Sequence, residues 1–283
     1  MKASKIFVRA NHDVLRSVIG VRDKAGAFLH TGLRRHSLPG GRRYLVQREP
    51  HQRVDHLLSL IQSPAAPAAE TLPEWLFGAD FGDHGLEAQQ STRLLDSTYD
   101  VLVFSLQAEV EHQLWSHRGS GRLIYAGSAR WRRQAWTATQ QKQFQAEFEE
   151  VPPLLPDAWA YHFARLLTHV RRHTRCPIVL FTGEVPRLRP LDFDFRLAGC
   201  VQPSHSPGWL RNGAFLRAAI ELAGSNDFFI MNSAAILCGV GTDRCVTAPF
   251  RYAADVYPLL TAELARILDQ VLPANDEIRE HGR

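Results

Sequence analysis

The chain of 283 residues is poor in sulfur and nearly devoid of lysine, with four cysteines, two methionines and four lysines against 29 arginines. Cys176, Cys200, Cys238 and Cys245 show no C-x-x-C spacing and are too few to staple a chain of this length. Free thiols in a reducing compartment, with no disulfide, are therefore expected. No apolar run reaches the ~18–20 residues that a helical membrane span requires. The opening MKASKIFVRANHDVLRS lacks the apolar core of a signal peptide, so a cytoplasmic location is expected. No internal repeat, heptad array or low-complexity tract is present.

Charge is uneven. Residues 1–60 carry three lysines and nine arginines against Asp13, Asp23, Glu49 and Asp55, a local +8 within an overall +4. No interleaved aromatics or nucleic-acid motif accompany this excess, and arginine dominates lysine along the whole chain. A general arginine bias explains it better than a nucleic-acid surface. Hydrophobic residues make up 45% and charged residues 22%, the balance of a soluble globular chain long enough to bury a substantial core.

Strand-like and helix-like segments alternate. SKIFVRAN, RRYLVQRE, TYDVLVFSL, CPIVLFTGE and NDFFIMN read as strands, several of them continuous apolar runs suited to a sheet covered on both faces. HQRVDHLLSLIQ places Val54, Leu57, Leu58 and Ile61 at helical spacing. TATQQKQFQAEFEE reads as a helix capped by a threonine, and DAWAYHFARLLTHVRRHT as a longer one with Asp157 as N-cap. WLRNGAFLRAAIELAGS ends at Gly224, a C′ glycine by its position. QAEVEHQLWSHRGSGRLIYAGSARWRRQAW reads as a polar and aromatic excursion, and SPAAPAAETLP as an exposed connection. The alternation predicts one α/β domain over 1–283, with a doubly wound parallel sheet of about five strands between two helical layers. Ligands of such sheets bind beyond the carboxyl ends of the strands. That directs attention to RANHD, SLQAEV, FTGEVP, NSAAIL and TAPFRY.

Taken in this order, these segments resemble the SGNH (GDSL-type) hydrolases. The match is nearest to a bacterial subgroup whose first strand ends in Gly-Asn. That subgroup carries V-L-S-x-Q-x-D-V, then R-H-R-x-x-G-Y-L, and closes with D-R-x-x-x-D-x-x-H-L-T-x-x-G-Y before the last helix. The resemblance implies a three-layer α/β/α, flavodoxin-like fold and hydrolysis or transfer of an acyl ester, with no metal and no cofactor. Family chemistry needs a serine after the first strand, oxyanion donors, and an Asp-x-x-His pair before the last helix. Where the family's pattern has Gly-Asp-Ser, this chain has Ala10, Asn11 and His12. Ser17 lies about a helical turn further on. The closing motif aligns without a gap to TDRCVTAPFRYAADVY: Asp243, Arg244 and Tyr257 match, but the catalytic Asp falls on Ala248 and the catalytic His on Arg251. A guanidinium stays protonated at working pH and cannot act as a general base.

The candidate site is therefore His12 and Asn11 as catalytic positions, with Arg251, Ser105, Gln107, Asp13 and His117 as ligand contacts. His12 has an alternative as a helix-terminal hydrogen-bonding histidine, and Arg251 as a surface partner of Asp255. The Ser204–Ser206 stretch SHS reads as a polar loop, Cys238 and Cys245 as small buried hydrophobes. His162, His169 and His173 read as a basic helix face and not a metal pair. Two functions follow. One is a catalytically silent SGNH-like protein that binds an acyl or anionic small molecule, or a protein partner in a biosynthetic pathway. The other is an active acyl-ester hydrolase or acyltransferase with rearranged residues.

Overall fold

A computed structural model describes residues 3–10, 18, 20–22, 28–30, 32–35, 43–50, 52–62, 72–77, 89–106, 108–109, 112–127, 129–182, 208–224, 228–231, 233, 236 and 255–272. Five strands form one sheet: β1 (Ser4–Ala10), β4 (Tyr44–Pro50), β5 (Val101–Ser105), β9 (Ile178–Phe181) and β10 (Phe229–Met231). Their order is β10-β9-β5-β1-β4 and every pairing is parallel. This is the doubly wound arrangement expected from the alternating segments, with strand starts within a few residues of Ile6, Val101, Ile178 and Phe228.

Strand periodicity separates the two faces. Ile6, Val8, Val101, Val103, Val179 and Phe181 pack toward α6 (Val256–Val271) and Leu33. Phe7, Leu102, Phe104, Ile178 and Leu180 pack toward α1 (Val54–Gln62), α4 (Pro156–His173) and α5 (Gly208–Ala223). Trp159 and Phe163 of α4 stack at 5.1 Å between centroids, and Phe215 of α5 meets Trp159 edge-on at 5.9 Å. These aromatic pairs lock α4 to α5 over the sheet.

The aromatic excursion after β5 is itself structured. It forms an antiparallel sheet of β6 (Leu114–His117), β7 (Leu123–Tyr125) and β8 (Phe148–Val151), in the order β7-β6-β8, with α2 (Ala129–Ala135) and α3 (Ala138–Glu147) between β7 and β8. The strands have three or four residues each, too short for an alternation signal against a polar background. They are held by a satellite core of Leu76, Ile124, Trp136, Phe144 and Phe148, with Trp75, Trp115 and Trp131 against it. Two helix boundaries and one helix cap also differ from the sequence reading. The helix expected over TATQQKQFQAEFEE stops at Glu147, because Phe148 turns extended, stacks on Phe144 and begins β8. Its expected cap is present: Thr137 and Gln140 form a reciprocal capping box. α4 begins at Pro156 with Leu155 as N-cap; Asp157 lies in the first turn, where it faces the positive end of the helix dipole. Gly224 follows α5 without a positive φ, so it is not a left-handed C′ glycine; its N–H bonds the Ile220 carbonyl as an ordinary helical turn.

β2 (Val21–Arg22) and β3 (Phe28–His30) form a small antiparallel pair. Gly32, which follows it, has φ +62°, and a Cβ there would collide with the Val18 carbonyl and lie 2.6 Å from the Gly20 nitrogen. Gly121, in the β6–β7 hairpin, has φ +70° with open space around it. Gly121→Ala should therefore cost only the left-handed penalty, about 1–2 kcal/mol. Gly32→Ala should cost clearly more, because backbone must move as well. Urea unfolding of the two variants measures the difference; equal losses would contradict the packing described around Gly32.

Candidate functional site

The strand order defines a switch point. The chain moves from β1 outward to β4, then crosses back over β1 to β5, so the crevice of a doubly wound sheet opens between the carboxyl ends of β1 and β5. At this edge the apolar strands turn polar: Arg9 in β1, Glu49 in β4, Ser105 in β5, and Thr182 directly after β9.

Arg9 continues the Phe7 face and lies level with Glu49 and Phe104 in the neighbouring strands. Its side chain is 1% exposed and that of Glu49 is 6% exposed. The guanidinium Nη2 is 3.3 Å from Glu49 Oε2, and Nη1 donates to the Ser91 carbonyl at 3.3 Å. Ser91 Oγ in turn donates to Glu49 Oε1 at 2.5 Å. Burial pulls the Arg9 guanidinium down to about 10, and the Glu49 charge opposes that fall. Arg9 is thus still a cation at neutral pH, buried beside the Glu49 carboxylate.

A second knot fixes the start of α1. Arg53, fully buried, forks onto Asp55 through Nε (3.2 Å) and Nη2 (2.6 Å), and Nη2 also donates to the Pro152 carbonyl at 3.0 Å. Glu109, on the segment leaving β5, accepts the Val54 N–H at 2.8 Å. Asp55 Oδ1 accepts the His56 N–H at 3.0 Å. Acceptors placed on the first amide groups of a helix satisfy donors that lack intrahelical partners. Through these bonds α1 is tied to β8 and to the segment leaving β5. His56 is 1% exposed and its pKa is depressed to about 3, first by burial and then by the charges of Arg9, Arg122 and Arg53. The antiparallel sheet is joined to this edge by Gln89, which mimics a strand partner: its Nε2 donates to the Tyr125 carbonyl at 2.8 Å and its Oε1 accepts the Tyr125 N–H at 2.9 Å. His112 stacks on the Tyr125 ring at 3.9 Å.

Ser105 ends β5 on the face turned toward α6, 8% exposed, at the switch point. His117 lies elsewhere, in the β6–β7 hairpin. Its Nδ1 accepts the Ser120 N–H at 3.3 Å, its ring packs on Phe148 at 5.1 Å, and Gly121 closes the turn onto its carbonyl. Asn11, His12, Asp13, Gln107 and Arg251 lie outside the described residues, as do Ser17, Ala248, Cys238, Cys245 and the Ser204–Ser206 stretch. Tyr257, matched to the final Tyr of the closing motif, lies in the first turn of α6 and is buried in the core. His169 Nε2 lies 3.4 Å from Gln62 Nε2, linking α4 to α1. Among the described residues no group of three His, Cys, Asp or Glu could hold a metal ion, and no helix is long and apolar enough to cross a membrane.

Arg9, Glu49, Arg53, His56 and Glu109 were not singled out from sequence. A signal was available: in a parallel sheet buried on both faces, a charged residue inside an apolar strand needs a partner. KIFVRA and LVQREP each carry one, of opposite sign.

No family model and no curated protein matches the chain. Among solved structures, a lipase/acylhydrolase from Enterococcus faecalis is similar with TM-score 0.46 and 10% identity, over 96% of this chain and 98% of that one. The N-terminal part of a Bacteroides fragilis protein, containing a phosphatase domain complexed with Mg, is similar with TM-score 0.38 and 9% identity, over 95% of this chain and 52% of that one. Likeness at this level bears on neither activity nor ligand. The mainly parallel, helix-flanked sheet is established by its own pairing.

Two expectations follow. Glu49→Gln takes a carboxylate from a buried cation and should cost at most on the order of 3–5 kcal/mol, whereas Arg9→Met with Glu49→Leu should recover part of that loss. Denaturant unfolding of single and double variants provides the cycle; additive losses would contradict the pairing. The second concerns pH. His56 is neutral in the folded chain down to about 3, whereas in the unfolded chain it takes up a proton near its ordinary 6.5. The unfolded state therefore binds more protons between these values, and stability falls as the pH drops from about 6.5 toward 3. Groups facing His56 are Arg9 from β1, Arg53 at the start of α1 and Arg122 beside β7, all cationic throughout this window. His56→Gln should flatten the melting temperature against pH in that range; an unchanged slope would contradict the burial of a neutral His56.

Proposed function

We propose that the chain binds an acyl or anionic small molecule in the crevice beyond the carboxyl ends of β1 and β5, and does so without a Ser-His-Asp esterase mechanism. The supporting observation is the strand order, with its switch point between the carboxyl ends of β1 and β5; in sequence, β1 is followed by Asn11, His12 and Asp13, and β5 by Leu106 and Gln107. By the resemblance to the SGNH hydrolases, the nucleophile position is then His12, and the Asp and His positions before α6 are Ala248 and Arg251. A guanidinium in place of the general base donates and never accepts, which turns a proton-transfer position into an anion anchor. On this reading His12 and Asn11 take the catalytic positions, and Ser105, Gln107, Asp13 and His117 are ligand contacts. The doubly wound sheet alone supports several chemistries, so the argument rests on the residues at its edge.

The test has two arms. A fluorophosphonate probe should leave the folded chain unlabelled; labelling that disappears on denaturation would support the active hydrolase or acyltransferase reading instead. Octanoate and inorganic phosphate are then titrated calorimetrically. Loss of a charge-assisted contact costs about 1.5–3 kcal/mol, so Arg251→Ala should weaken binding roughly ten- to hundredfold, with Arg251→Lys failing to restore a bidentate contact. Parent-like binding by both variants would remove Arg251 from the site.

A further inference from the structure

The antiparallel sheet stands at one edge of the parallel one. β5 reaches the carboxyl edge at Ser105, and α4 sets out from that edge, because β9 runs parallel to β5 and begins at the opposite one. β6, β7, α2, α3 and β8 fall between these two points of the chain, so both connections of the unit lie at the edge where the crevice opens. Its buried apolar residues form a cluster apart from the two that line the parallel sheet. Hydrogen bonds attach the unit on either side. Arg53 Nη2 holds the Pro152 carbonyl at 3.0 Å, in the connection from β8 to α4. Gln89, itself buried, takes both main-chain groups of Tyr125 in β7 at 2.8 and 2.9 Å, and the His112 ring stacks on Tyr125. Two residues beyond Gln89, Ser91 is bonded to Glu49 at 2.5 Å and to Arg9 at 3.3 Å, which ties this strap to the parallel sheet. The order β7-β6-β8 sets the two attachments on opposite edges of the small sheet. When such bonds part, water replaces them, so each adds little net stability, whereas parting an apolar boundary exposes surface that water does not compensate.

We propose that the antiparallel sheet, with α2 and α3, is a cap on the carboxyl edge that opens as one body, hinged where Arg53 fixes Pro152 and latched where Gln89 holds Tyr125. Opening parts the two Gln89 bonds and the His112 stack. The tryptophan cluster travels with the cap, because its rings pack on one another: Trp136 and Trp115 each meet Phe144, at 4.9 and 4.8 Å between centroids, and Phe144 stacks on Phe148 at 4.8 Å. Arg9 and Glu49 stay behind, fixed by the register of β1 on β4. A unit with its own core and polar attachments is the kind that opens below the free energy of global unfolding. The cap goes beyond the reading of the crevice and uses none of the residues proposed there to meet a ligand as hinge or latch.

The experiment is native-state amide hydrogen exchange of the full chain, read by NMR across a series of low denaturant concentrations. In the parent, the bonded amides of β6, β7 and β8 should exchange through one shared opening, at least about tenfold less protected than those of β5 and β9. Gln89→Ala removes both latch bonds. It should speed that shared exchange roughly ten- to hundredfold and leave β5 and β9 as protected as in the parent. The parent measurement decides the matter even if the variant does not fold. The proposal is overturned if the parent's β6, β7 and β8 exchange only with global unfolding, at the protection of β5. It is also overturned if Gln89→Ala unprotects both sheets equally, or if Tyr125 alone responds.

Discussion

Two opposite charges buried side by side at the carboxyl ends of β1 and β4 constrain the rest of this edge. Arg9 and Glu49 are level in adjacent parallel strands, both nearly sealed from water. Neither could remain there alone, since a buried unpaired charge costs several kcal/mol. Their pairing requires the register of β1 on β4. It also requires Ser91, which bonds both partners and so draws the segment before β5 across the sheet. The same register sets where β1 ends and hence where the residues after Ala10 begin.

The second knot extends this logic outward. Arg53 bonds Asp55 and Pro152, and Glu109 bonds Val54, so one helix start joins the parallel sheet, the segment leaving β5 and the antiparallel sheet. Glu109 Oε1 serves this architecture by accepting a helix amide. The groups supporting this edge of the sheet are thereby locked by buried bonds.

Much of the architecture was legible because long apolar runs and helical periodicity are strong signals. IFV, VLVF and IVLF declare buried parallel strands, and the 54–62 and 156–173 segments show one apolar face each. The antiparallel sheet was not legible, because LWSH, LIY and FEEV are only three or four residues long; their pairing comes from tertiary packing of the tryptophan cluster. Of the candidate site, Ser105 at the end of β5 is described and the residues after Ala10 are not. Strand ends in a doubly wound sheet point to Ser105 and the residues after Ala10. The charged pairs could not be read, since which Arg meets which Glu depends on the register between β1 and β4, separated by more than thirty residues of sequence. His117 shows the converse. It sits inside a quoted motif, yet its neighbours are a hairpin turn and Phe148.

The central claim is that the crevice between β1 and β5 is where this chain meets its ligand. Backbone amide chemical-shift mapping during titration with octanoate, and then with inorganic phosphate, tests it most directly. The account predicts perturbations concentrated at the carboxyl ends of the strands, around residues 9–13 and 105–109, with the opposite edge around Ser4, Val101 and Ile178 unmoved. Perturbations confined to that opposite edge or to the outer face of α4, with residues 9–13 and 105–109 silent, would contradict it.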